Sequence, residues 1–160
     1  MAHHVETTYR VHATKEHVWG ILRDFSSIER FSSKVKSSPL VGESREGLGT
    51  KRLCTFYDKS TVLEEIIEYQ EGENLRIELS EYSMPLKSLV AHMSVKRVDD
   101  QSCDATFGME YVVKFGPLGC LMGKILMKPM MKGVTKDVLR GLAFHAVTGQ
   151  NVGDTLPATP

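Results

Sequence analysis

Arg52, Glu64 and Glu65 are the residues of this 160-residue chain best placed to do chemistry. They fall on two strand-like runs, KRLCTFY and STVLEEIIEY, joined by a turn at Asp58-Lys59. With a two-residue loop, position 57 faces 60 and position 52 faces 65, and strand alternation aims one of the two glutamates inward. On an apolar inner face, a guanidinium and a carboxylate would orient the polar end of a ligand or shift a pKa for acid–base work. On the outer face they form a cross-strand ion pair contributing about tenths of a kcal/mol. The solvated pair is the expectation.

Other chemistries find little support. No G-x-S-x-G nucleophile elbow occurs, nor a G-x-G-x-x-G fingerprint or Walker loop, and GESREGLG misses both of the latter patterns. His12 and His17 are five apart, His92 and His145 stand alone, and none pairs with a cysteine at zinc-ligand spacing. No metal, cofactor or catalytic residue is therefore assigned. Cys54, Cys103 and Cys120 are odd in number and widely spaced, which reads as a reduced, cytoplasmic chain without a disulfide framework.

The most unusual stretch is GKILMKPMMKGVTKDVLR, with Lys124, Lys128, Lys132, Lys136 and Arg140 at every fourth position. Residues 123–140 hold five bases and one acid, leaving 15 bases and 19 acids elsewhere in a chain of net charge +0. Neutrality overall argues against a nucleic-acid partner. On a straight helix five such bases sweep about 160°, so they read as the solvated side of a partly buried helix rather than a membrane surface. Membrane contact stays open as the sharper alternative, carried by Leu118, Leu121 and Met122 beside the bases.

These groups need elements to position them. Val5, Thr7, Tyr9 and Val11 alternate with polar residues as a strand does. Thr14 offers a cap for a short helix carrying Val18, Trp19 and Leu22, and Asp24 caps a second through FSSIERF. From Lys51 to Phe115, strand-like runs separated by tight turns indicate an antiparallel meander. The rest is helical to about residue 147, and TGQNVGDTLPATP lacks apolar periodicity. Around Pro129 the apolar stripe changes sides, which predicts a short helix over 117–127, a bend, and a longer helix over 129–147. The short piece either covers a cavity mouth or faces out as a flap.

With this order in view, ATKEHVWGILRDFSSIERF resembles the opening of polyketide cyclase-like proteins of the START / Bet v 1-like superfamily. GLGTKR is similar to that family's entry to its central strands, VLEEIIEY to a later strand, and GPLGCLMGKILMKPMMKGVTKDVLRGL to its C-terminal helix. The resemblance spans about residues 3 to 147. Ser32-Ser33-Lys34 departs from the usual Trp-x-Pro, and VLEEIIEY lacks the Glu-Arg of many relatives.

The resemblance implies an α+β helix-grip fold: a curved seven-stranded antiparallel sheet around a long C-terminal helix, with two short helices after strand 1. It implies a domain over 1–147, beyond which the unpatterned 148–160 reads as a flexible tail, and an internal cavity for a hydrophobic or amphipathic molecule such as a lipid or polyketide. Binding, transport or sequestration without catalysis is the expectation, and a cyclase or aromatase is the alternative. A protein-interaction role for an exposed flap is a third reading. Cavity candidates are Phe31, Arg52, Cys54, Glu64 and Ile66 in the first half. Tyr82, Met84, Met93, Met109 and Tyr111 follow on the later strands, and Met122, Leu126, Met130, Val134 and Val138 on the helix. The methionines suit a surface that adapts to varied apolar shapes.

Overall fold

The computed structural model describes residues 2–157. Its sheet has eight antiparallel strands: β1 (Ala2–Val11), β2 (Val35–Ser37), β3 (Leu40–Val41), β4 (Lys51–Phe56), β5 (Thr61–Gln70), β6 (Asn74–Ser80), β7 (Leu86–Arg97) and β8 (Cys103–Val113). Seven of them run in the order β1-β8-β7-β6-β5-β4-β2, and β3 pairs β4 off that path. That is one strand more than the seven expected; the short β2 and β3 come from SSKVKSSPLV, whose polar composition hides them, and each pairs on one side only. The helix-grip architecture expected from the sequence is the one observed.

Thr14 caps α1 (Lys15–Arg23), its Oγ1 accepting from the His17 amide at 3.1 Å. Asp24 then caps a 3-10 turn (Phe25–Ser27), its Oδ1 accepting from the Ser26 amide at 3.1 Å, and α2 (Ile28–Phe31) follows. Both caps satisfy amides that the helices cannot, which is why Thr and Asp stand there. Bulges interrupt β5 between Ile66 and Glu68 and β7 between Leu86 and Ser88. Each extra residue bends its strand and tightens the twist, giving the sheet a concave face.

The C-terminal helix corrects the sequence reading. No break occurs at Pro129: α3 (Gly116–Met122), a π-helical turn (Gly123–Met127) and α4 (Lys128–Thr148) form one continuous run. The Lys128 amide donates to the Gly123 carbonyl, five residues back. Pro129 has no amide hydrogen, so an α-helical bond to the carbonyl of Ile125 is unavailable there. Widening the turn just ahead of the proline absorbs that loss and resets the helical phase within one continuous run.

Of the two placements open to the first part of the helix, its bulky side chains take the outward one. Gly119, Gly123 and Met127 turn inward, while Leu118, Leu121, Ile125 and Leu126 turn to water. Close packing dictates this choice. A Cβ on Gly119 would lie 1.7 Å from the Lys114 carbonyl oxygen, and one on Gly123 would lie 2.7 Å from His3 Nε2. Only glycines let the helix start this near the end of β8.

Beyond Pro129, α4 lies along β1 and β8 and touches α2. Met131, Thr135, Val138, Leu139 and Leu142 are its buried side. Gly149 ends it in the left-handed conformation (φ 74°). In the segment read as a tail, Val152 is buried and its amide donates to the Arg30 carbonyl at 3.0 Å. Residues 158–160 lie outside the described residues.

Candidate functional site

The inner face of the sheet is built from every second residue of each strand. It carries Val5 and Val11 on β1, Phe107, Met109 and Tyr111 on β8, and Leu89, Ala91, Met93 and Val95 on β7. Leu75 and Ile77 on β6, Val62 and Ile66 on β5, and Cys54 on β4 continue it. Among these apolar side chains stand Arg52 and Glu64, 4% and 7% exposed.

Their pairing is not the one the sequence suggested. Arg52 faces Glu64, and Lys51 faces Glu65. The turn is longer than two residues: the Phe56 amide donates to the Ser60 carbonyl and Lys59 to the Phe56 carbonyl, with Lys59 at φ 75°. Asp58 Oδ1 accepts from the Ser60 amide at 2.9 Å and closes the loop. A three-residue loop ending in a left-handed residue shifts the register by one, and one residue decides the face. Glu65 takes the solvated place, 4.0 Å from Lys51. Arg52 and Glu64 go inside.

The buried pair is closely coupled. Arg52 Nε donates to Glu64 Oε2 at 2.5 Å, and Nη2 closes a second contact to the same oxygen. Arg52 Nη1 donates to the Phe25 carbonyl at 2.7 Å, and the guanidinium carbon stands 3.9 Å over the Phe25 ring. The 3-10 turn that Asp24 caps therefore delivers both a carbonyl and an aromatic face to the guanidinium. Beside the pair, burial, followed by the negative charge of Glu64, pushes the Cys54 thiol up to about 12. That thiol stays protonated and unreactive at neutral pH.

Of the other expected lining residues, Phe31, Cys54, Ile66, Met93, Met109, Tyr111 and Val138 are buried. Tyr82, Met84, Met122 and Val134 are half-buried and pack against that core. Leu126 and Met130 lie outside it, 66% and 50% exposed, because the π turn rotates them away from the sheet. Tyr111 is the tyrosine that points inward, its hydroxyl donating to the Gly123 carbonyl at 3.0 Å. Trp19 packs in the core with Nε1 donating to Glu71.

Two helix methionines outside the set of cavity candidates also belong to this interior. Met127 and Met131 add two more thioethers to the covered side of the helix. His3 joins them, stacking on Tyr111 with ring centroids 5.1 Å apart. Among the described residues no group of three or more His, Cys, Asp or Glu is placed to hold a metal. Nor is any helix long and apolar enough to cross a membrane.

The profile of the family described as polyketide cyclase / dehydrase and lipid transport matches residues 2–146. The chain belongs to this family. Solved structures agree with the fold of a polyketide cyclase / dehydrase and lipid transport protein. An uncharacterised protein from Bacillus thuringiensis superposes with a TM-score of 0.75 at 16% identity, covering 91% of this chain and 99% of that one. Norcoclaurine synthase from Thalictrum flavum gives a TM-score of 0.72 at 14% identity, with 92% and 95% covered. A protein from Thermobifida fusca gives 0.72 at 21% identity, with 89% and 92% covered. No curated protein matches.

Proposed function

We propose that this chain binds a hydrophobic or amphipathic small molecule, a lipid or a polyketide, between the inner face and the C-terminal helix. It carries or sequesters that guest in the cytoplasm without transforming it. The observation supporting this reading is the make-up of the inner face: mostly aliphatic, aromatic and thioether side chains around one buried charge pair, Arg52–Glu64. Apolar burial supplies affinity, and the guanidinium fixes which end of the guest goes where. Most inner side chains leave almost no surface open to water. Room for a guest therefore comes from swinging flexible chains such as Met93, Met109, Met127 and Met131.

Native mass spectrometry of freshly purified protein tests this, followed by extraction and melting curves with a lipid and polyketide panel. The expected result is a bound mass or a ligand that raises Tm. In the Arg52→Met chain, acidic-headed ligands lose their advantage while uncharged ones keep theirs. An empty protein whose Tm no panel member shifts sinks the reading.

One observation favours a second reading. A buried carboxylate, Glu64, faces an apolar interior, and norcoclaurine synthase shows that this fold also hosts an enzyme. Under that reading the chain is a cyclase that folds a polyketide-like substrate, and Glu64→Gln abolishes turnover. Recovery of every panel compound unchanged decides for binding alone.

A further inference from the structure

Phe115, Leu118, Leu121, Ile125, Leu126 and Met130 are six large apolar side chains left in water within residues 115–130, from 50% to 74% exposed. Elsewhere among the described residues such exposure is scattered singly, at Leu48, Tyr57, Val98 and Val147. A cluster of this kind marks a contact surface. It follows from the glycine stripe: because Gly119 and Gly123 face the sheet, Leu118, Leu121, Ile125 and Leu126 around them face out. Phe115 adds to it from a left-handed corner (φ 76°), a conformation that costs a non-glycine residue energy.

The charge around this face has one sign. Residues 114–136 hold five lysines and no acid, while the remaining sequence holds 15 bases and 20 acids. Lys124, Lys128 and Lys132 line a groove of about 380 Å³ with His4, Val5, Glu6 and Pro129, where the helix runs beside β1. A step of four residues overshoots an α-helical turn and undershoots a π-helical one, so the turn at 123–127 offsets the drift that a straight helix would impose. Lys132 donates to the Glu6 carbonyl. The Glu6 carboxylate is drawn toward His92 Nε2 at 3.1 Å and His4 Nε2 at 3.5 Å. Among the described residues, Lys114, Lys124, Lys128 and Lys136 have no carboxylate within ion-pair distance.

We propose that this face docks on an anionic phospholipid bilayer. The apolar side chains enter the boundary between headgroups and acyl chains, and Lys124 and Lys128 meet lipid phosphates at the β1 groove. An apolar strip flanked by lysines fits the interfacial plane of a bilayer. The acidic remainder of the molecule is repelled by the same surface, which leaves this face as the one presented. The proposal holds whether or not the interior takes a guest.

Vesicle co-sedimentation tests it, using phosphatidylcholine with and without phosphatidylserine. The full chain should pellet with the phosphatidylserine vesicles, and added salt should release it. K124A/K128A should weaken the partition about 30-fold. L118S/L126S should abolish it, with the melting temperature and any interior-ligand shift unchanged. Failure to pellet with anionic vesicles overturns the proposal, and so does equal partition of the variants. Concentration-dependent self-association that L118S/L126S removes, without vesicle binding, assigns the face to a second copy instead.

Discussion

At the residue scale, Arg52 and Glu64 show how one turn residue decides chemistry. The side-chain types were legible in the sequence, but the register was not. It depends on Lys59 accepting a left-handed conformation, and lysine gives no signal for that. With the register shifted by one, a surface pair worth tenths of a kcal/mol becomes a buried pair whose halves depend on each other. Arg52→Ala should cost about 3–5 kcal/mol in urea unfolding, because it strands the Glu64 carboxylate. Replacing both, as Arg52→Met with Glu64→Leu, should recover most of that loss. A double variant no better than the single one would show that the pair stabilises on its own account.

The neighbouring thiol gives a pH signature. Cys54 moves from 9.0 to about 12, and burial pushes Cys103 in the same direction. Between pH 9 and about 12 the unfolded chain has released a proton that the folded chain keeps. Stability is therefore intact below pH 9 and falls as pH rises through that window. Urea midpoints across the alkaline range should decline in the native chain, with a shallower decline in Cys54→Ala. Parallel slopes would remove Cys54 as a cause.

At the element scale, the C-terminal helix was half legible. Its amphipathic phase change pointed to Pro129, and the disturbance sits there. The wide turn was not foreseen, because a lost donor can be absorbed by a kink or by an extra residue, and the sequence pattern permits both. The inward glycines escaped for a related reason. Hydrophobic periodicity weighs bulk, whereas the deciding contact here is how near the helix backbone comes to the Lys114 carbonyl and to His3. Two glycines of α4 separate the effects. A Cβ at Gly141 would stand 1.8 Å from the Phe31 carbonyl oxygen, while one at Gly133 meets nothing within 4 Å. Alanine gains about 1 kcal/mol of helix preference at either site. At Gly133 that gain stands, and Gly133→Ala should raise stability. At Gly141 the helix must move off α2, and overpacking of about 1–3 kcal/mol prevails. Chemical denaturation of both variants checks the opposite signs, and equal signs would contradict the close approach of α4 to α2.

At the scale of the whole molecule, the two halves of the C-terminal helix are held very differently. From Met131 to Ala146 the helix buries Val138, Leu139 and Leu142, and Thr135 Oγ1 meets Thr7 Oγ1 at 2.7 Å. His17 Nε2 meets the Ala146 carbonyl at 2.9 Å from the other side. From Gly116 to Met130 only Gly119, Gly123 and Met127 are buried, and the Tyr111 hydroxyl on the Gly123 carbonyl is the polar tie. Local opening follows such differences, since segments with few buried apolar contacts open at free energies well below that of global unfolding. Amides 118–130 should exchange with deuterium faster than amides 134–146, and Tyr111→Phe should widen the gap. If a guest enters by lifting the first half, its binding slows exchange over 118–130 and leaves 134–146 near their original rates. Uniform protection along both halves would mean that the roof moves as one body, and entry would have to be sought beside Tyr82 and Met84 instead.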